Sequence, residues 1–294
     1  MDLTRKNVNF TSQNHGLMRN IIVTTDFSES AMNAVKYAAA IAKPLGVGNI
    51  ILYHSFGNNL TDTDIPEHQL ETASAPENVR TSLESVHREL RSVLDQDITI
   101  ELVSNGLTLR AGIDQLAVER KAKLVVIGAT GKSNMEKVLM GSNTVELASE
   151  SIIPLLIVPK DISFSPIDKV VFACDLTRVS PRAPLEEVHS WVQRLQSQLL
   201  ILNVVQEGKQ FDSEKLDGLN RMKDMMEEFD PEYHYSENKD IAGEINSFAE
   251  KHAAGLIITI PKLYGFFGNL FRKSVSKDLI KKSKTPLLVL RDGE

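Results

Sequence analysis

Residues 20–42 read NIIVTTDFSESAMNAVKYAAAIA. Ile21 to Thr24 form a short, largely β-branched run, and beyond Asp26 the residues Ala31, Ala34, Val35, Ala38 and Ala42 recur at the three-and-four spacing of one helix face. A strand that passes directly into an amphipathic helix opens a crossover connection, which parallel strands require and antiparallel hairpins do not.

The alternation continues outward from that stretch. Further strands are expected at Ile50 to Tyr53, Ile98 to Val103, Leu124 to Ile127 and Leu155 to Val158. Helices are expected around Val79, Leu83, Val86, Leu90 and Val93, from Leu109 to Lys121 and from Asn143 to Ser149. Five strands interleaved with four helices describe an α/β doubly wound domain with helices on both faces of a parallel sheet.

The pattern then repeats. Strands are expected at Lys169 to Ala173, Leu199 to Val205, Glu232 to Tyr235, Leu256 to Ile260 and Leu287 to Leu290. One helix opens at Ser180 and Pro181, another carries Leu216, Leu219, Met222, Met226 and Phe229, and a third carries Ile241, Ile245, Phe248 and Ala249. Asp26 and Asp175 close the first strand of each half, and Pro154 and Pro286 precede the last. The reading is a tandem duplication: an extension over 1–18, a domain over 19–160, a linker from Lys160 to Pro166 and a domain over 167–294. Between strand two and the next helix of the first half, Ser55 to Glu77 is a long polar connection, either a lid or a plain surface insertion.

The chemistry is concentrated in residues 128–144, GATGKSNMEKVLMGSNT. Gly128 follows the apolar run LVVI, Gly131 comes three residues later, and Gly141 and Ser142 open the next helix. Glycine admits close backbone approach, and the unpaired N–H groups at a helix start favour an anion. The text GATGKS imitates the end of a P-loop, but the position of its first glycine is Val126, inside the strand.

Gly, two residues, Gly, nine residues, Gly-Ser resembles the nucleotide-binding signature of the ATP-binding branch of the universal stress protein family. NIIVTTDFSESAMNAVKYAAAIA and ASESIIPLLIVPK (148–160) resemble that family's opening and closing elements, and the resemblance extends over both copies. It implies two five-stranded sheets of order 3-2-1-4-5. In that order strands one and four lead in opposite directions and leave a crevice at their carboxyl ends. It further implies that Thr25 and Asp26 meet the nucleoside, that the backbone near Tyr53 meets adenine, and that Gly128, Gly131, Gly141, Ser142, Asn143 and Thr144 surround ribose and phosphates. The implied ligand is ATP, with AMP or another adenine nucleotide left open, and Mg²⁺ bridging phosphates is compatible with it. Turn formation and helix capping remain the alternative role for Asp26.

In the second copy the expected glycines fall on Ile260, Leu263 and Lys273, and only Ser274 is retained. ATP binding in the family's manner is therefore not expected there. Tyr264, Phe266, Phe267 and Phe271 share the stretch 262–284 with a cluster of Lys and Arg, read either as a partner surface or as aromatics filling a vacated crevice.

A net charge of -6 and a pI near 5.7 disfavour a dedicated nucleic-acid binder. One cysteine, Cys174, excludes an intrachain disulfide and reads as a buried structural thiol. Seven histidines without a metal-binding spacing read as surface residues. With no signal-peptide core and no apolar run of spanning length, the expectation is a cytoplasmic, soluble protein without a membrane partner. The expected partners are an adenine nucleotide, a protein target and the other half of the chain, forming an intrachain pseudo-dimer through the last strands, with a homodimer also open. The functional reading is a nucleotide-responsive stress regulator. A slow ATPase or phosphotransfer enzyme and a nucleotide-free interaction module are the alternatives, and no catalytic or metal-ligating residue is assigned.

Overall fold

The computed structural model describes residues 18–57, 67–129, 142–176, 183–206, 208, 213–260 and 278–291. The first half contains β1 (Asn20–Thr24), α1 (Glu29–Leu45), β2 (Asn49–Ser55), α2 (Glu67–Glu71), α3 (Glu77–Val93), β3 (Thr99–Asn105), α4 (Leu109–Glu119), β4 (Val125–Gly128), α5 (Ser142–Glu150) and β5 (Leu155–Val158). The second contains β6 (Lys169–Ala173), α6 (Ala183–Leu195), β7 (Gln198–Val205), α7 (Ser213–Met226), β8 (Glu232–Glu237), α8 (Ile241–Lys251), β9 (Leu256–Thr259) and β10 (Leu287–Val289).

All ten strands belong to one sheet of order β3-β2-β1-β4-β5-β10-β9-β6-β7-β8. Each half therefore has the order 3-2-1-4-5 and is parallel throughout. The halves join where β5 and β10 pair antiparallel, with Leu287 opposite Ile157, Leu288 opposite Leu156 and Val289 opposite Leu155. Side chains that alternate along each strand divide between two apolar layers. Helices α1, α3, α6 and α7 cover one face, and α4, α5, α8 and the helical turn at 278–282 cover the other.

The same local devices recur in both halves. Phe27 and Leu176, each following the Asp that succeeds its first strand, have φ of 62° and 57°. Gly46 and Gln196 end α1 and α6 at φ 68° and 54°, and Lys121 and Ala253 end α4 and α8 at 51° and 53°. A left-handed residue at a helix end lets the following N–H groups reach back to the last carbonyls, as Val47 does to Ala42 and Ser197 to Val192.

The linker is held closely. Asn33 on α1 donates to the carbonyls of Pro159 and Ile162, both at 2.9 Å, and Phe164 meets Tyr37 edge-on with ring centroids 5.4 Å apart. On the same face Arg194 of α6 donates to the Leu45 carbonyl at the end of α1, 3.2 Å away. The described carboxyl end of the connection after β2 contains α2, and there the Leu70 carbonyl accepts the Gly106 N–H at 2.7 Å.

Three expectations need correction. Val93 is 65% exposed and Leu216 51% exposed, because each lies near the end of its helix, beyond the layer it was expected to join. Cys174 is half-buried, since it stands one residue past β6 where the sheet's cover ends. Among the described residues no helix is long and apolar enough to cross a membrane.

Two outcomes follow from this packing. Leu288, fully buried in the joining strand, should cost about 2–5 kcal/mol when changed to Ala, read as a lowered urea midpoint. Burial raises the Glu187 carboxyl on α6 to about 7, against the opposing pull of Lys123. The folded protein then keeps a proton that the unfolded chain releases near its ordinary 4.5, so this contribution is complete below that value and is lost as pH rises through about 7. Glu187→Gln should raise Tm at about pH 8 and leave it unchanged near pH 4.5. Equal shifts at both would contradict the assignment.

Candidate functional site

Strands β1 and β4 are neighbours, with Ile22 opposite Val125 and Val23 opposite Val126. From β1 the chain enters α1 on one face, whereas α5, the helix after β4, packs on the other through Leu147 and Ala148. The two exits diverge and open a crevice at the carboxyl ends of the strands. Continuing the register by two positions brings Thr25 level with Gly128.

The turn after β1 is fixed by several bonds at once. Thr25 donates its N–H to the Tyr53 carbonyl at 2.9 Å, and its hydroxyl oxygen accepts the Phe27 N–H at 3.0 Å. Asp26 Oδ1 accepts the Ser28 N–H at 3.0 Å, and Ser28 Oγ in turn caps α1 by accepting from Ala31 at 3.2 Å. Asp26 thus organises the turn that follows β1. Such an arrangement holds Phe27 in its left-handed conformation, which costs a non-glycine residue about 1–3 kcal/mol unless its surroundings enforce it.

His54 is part of that enforcement, a role not assigned to it from the sequence. Expected on the surface, it is 8% exposed, with Nδ1 2.7 Å from the Thr25 carbonyl and its ring 4.7 Å from that of Phe27. The available signal was its partner in the repeat: Asn203, at the same place on β7, donates to the Cys174 carbonyl at 2.9 Å. One polar side chain, next after the strand-two residue that pairs with the end of strand one, therefore holds the first turn in each half.

Gly128 ends β4, and its need for a bare Cα is set by the protein itself. A Cβ there would lie 2.7 Å from the Ser30 carbonyl oxygen and 2.8 Å from Ser30 Oγ, so α1 fills the space a side chain would take. The Gly128 carbonyl accepts from Thr144 Oγ1 at 3.4 Å, which ties the first turn of α5 to the end of β4. Thr144 is 3% exposed. Ser142 and Asn143 stand in the same turn, with side chains outside the described residues, as are Gly131 and Gly141 entirely.

Tyr53 takes a different place. Its ring is fully buried, its hydroxyl donates to Asn105 Oδ1 at 2.8 Å, and burial pushes the phenol up to about 12. Gly112 of α4 exists to admit that ring, because a Cβ there would come within 1.8 Å of the hydroxyl oxygen. The structure thus places the turn of Thr25 and Asp26, Gly128 and Thr144 at the carboxyl ends of β1 and β4, while the side chain of Tyr53 turns into the core. Among the described residues no group of three or more His, Cys, Asp or Glu could hold a metal ion.

In the second half Asp175 again precedes a left-handed residue, but Ile260 stands where Gly128 stands and packs partly buried against the apolar layer. Leu263, Lys273, Ser274 and the aromatics Tyr264, Phe266, Phe267 and Phe271 lie outside the described residues. At the described end of that basic stretch, Lys282 pairs with Asp240 at 3.3 Å and Lys284 with Glu250 at 3.0 Å.

Residues 18–159 match the universal stress protein family. Universal stress protein MJ0577 of Methanocaldococcus jannaschii is 27% identical over 161 residues, covering 49% of this chain and 96% of that protein. A solved universal stress protein from Archaeoglobus fulgidus superimposes with a TM-score of 0.69 at 21% identity, over 94% of this chain and 97% of its own. A protein described as functionally unknown from Pseudomonas aeruginosa superimposes with a TM-score of 0.58 at 11% identity, over 93% and 92%. At those identities the structural likenesses show the fold.

Gly128→Ala should destabilise the protein by about 1–3 kcal/mol, because the added methyl meets backbone that cannot yield without moving α1. Calorimetric melting checks this, and an unchanged Tm would show that α1 is free to shift.

Proposed function

Residues 18–159 belong to the universal stress protein family, and on that premise we propose that the chain is a stress-related nucleotide-binding protein whose amino-terminal unit holds ATP as a regulatory ligand. The observation that carries this reading is the meeting of the rigid Asp26 turn with Gly128 and Thr144 at the divergence of β1 and β4.

In this reading the carboxylate of Asp26 receives hydrogen bonds from the nucleoside. The amino end of α5 and the glycines of the loop before it surround the phosphates, where unpaired N–H groups and the positive end of the helix dipole favour negative charge. The adenine lies against backbone at the end of β2. Buried Tyr53 and His54 act by holding that backbone in place. AMP and other adenine nucleotides share the recognised groups, and Mg²⁺ would be held mainly through phosphate oxygens and water. The carboxy-terminal unit keeps the Asp175 turn but presents Ile260 at the point of closest approach, so it serves as structural partner in an intrachain pseudo-dimer joined through β5 and β10.

Mass analysis of nucleotide released from freshly purified protein, followed by calorimetric titration with ATP, tests the proposal. Gly141→Val should abolish retention, since a branched side chain would occupy the phosphate position. Asp26→Ala should weaken binding roughly tenfold or more through loss of a hydrogen bond to a charged acceptor. Unchanged affinity in Gly141→Val rejects the placement of the phosphates, and measurable turnover of ATP would move the protein to the enzymes of this fold.

A further inference from the structure

The helix that carries the proposed phosphate end of the site is gripped at its other end by the opposite half of the chain. Arg291, two residues past β10, donates from Nη1 to the Ser149 carbonyl and from Nη2 to the Leu147 carbonyl, both at 3.1 Å. These carbonyls belong to the last turn of α5, where the dipole is negative; Arg291 supplements the one bond the Leu147 carbonyl already accepts, from the Ser151 N–H at 2.9 Å. Burial lowers the Arg291 guanidinium from its ordinary value, Asp114 and Glu150 oppose that shift, and nearby Arg110 adds to it. Arg110 itself pairs with both Glu150 and Asp114, so ion pairs join α4 to the end of α5 beside Arg291.

A nine-residue helix is marginal on its own and depends on what holds it. It is also a short rigid rod, about 13 Å long, so a displacement at one end reaches the other. Its amino end is tied to β4 through Thr144 and Gly128. Its carboxyl end is tied to the second unit through Arg291. The matching residue after β5 is Pro159, which has no side-chain donor and whose carbonyl is instead held by Asn33. The grip at this position therefore runs one way, from the second unit to the first.

We infer that Arg291 is a positioning residue for the nucleotide site: the carboxy-terminal unit supplies a guanidinium that fixes α5 from behind and so sets the affinity of the amino-terminal unit for ATP. This rests on the reading of the amino end of α5 as the phosphate cradle. It gives the second unit a direct part in binding without a ligand of its own, and makes strain in the β5–β10 junction a means of changing nucleotide affinity.

The test uses the full chain, with ATP as the probe in calorimetry and with hydrogen exchange of the α5 amides measured without nucleotide. Arg291→Ala should weaken ATP binding by about fivefold or more, the lower end of ordinary coupling between sites. Arg291→Lys, which keeps a cation at the helix end but loses the planar fork, should fall between it and the parent. Val192→Ala, a core truncation in the second unit away from α5, should lower Tm while leaving ATP affinity as in the parent. Exchange in α5 should quicken in Arg291→Ala and not in Val192→Ala. Parental affinity or unchanged α5 exchange in Arg291→Ala overturns the inference, as does an equal loss of affinity in Val192→Ala. If the parent itself binds no ATP, the proposed function fails while faster α5 exchange in Arg291→Ala still establishes the grip.

Discussion

Antiparallel hydrogen bonding between β5 and β10 is the constraint on which the rest of the architecture depends. Without it each half would end in a short strand of wholly buried apolar residues facing water along one edge, LLIV in the first and LLV in the second. An unpaired edge of that kind is an invitation to association. Pairing closes both edges and leaves as outer strands β3 and β8, which carry polar and half-exposed residues. It also brings both sets of helices into two shared layers, so that Arg194 reaches the end of α1 and Arg291 the end of α5.

Within each unit the most heavily determined feature is the turn after the first strand. Strain at Phe27 and Leu176 is maintained by a side chain from the second strand, His54 in one unit and Asn203 in the other, with different chemistry serving the same carbonyl position. An aspartate in that turn is thus common to both halves. What distinguishes the halves is the residue at the end of strand four: bare Gly128 against α1 in the first, and the bulk of Ile260 in the second. A turn can be kept for stability after the loop opposite it has changed.

The strands were legible because parallel strands covered on both faces read as short apolar runs, and the observed boundaries differ from those runs by a residue or two. Strand order came from the resemblance of the glycine spacing and opening strand to a known family. The helix α2, the docking of the linker along α1 and the exposure of Val93 and Leu216 were not legible, since each depends on which distant surface a segment meets. The same holds at the site. Spacing singled out Gly128, yet the neighbour that forbids a Cβ is Ser30, almost a hundred positions earlier, and buried His54 meets a carbonyl in the turn after β1. Nothing local in the sequence marks Arg291, because its partners are backbone carbonyls of the other half.

Carrying both five-stranded units on one polypeptide has a consequence for how the molecule can vary. Where two identical copies associate, one gene writes both clefts, and any replacement that spoils one spoils its twin. A covalent tether removes that bond between fates, and keeps the local concentration of the second unit high whatever the abundance of the protein. One cleft is then at liberty to drift toward a new surface while the other is preserved, and asymmetry becomes heritable.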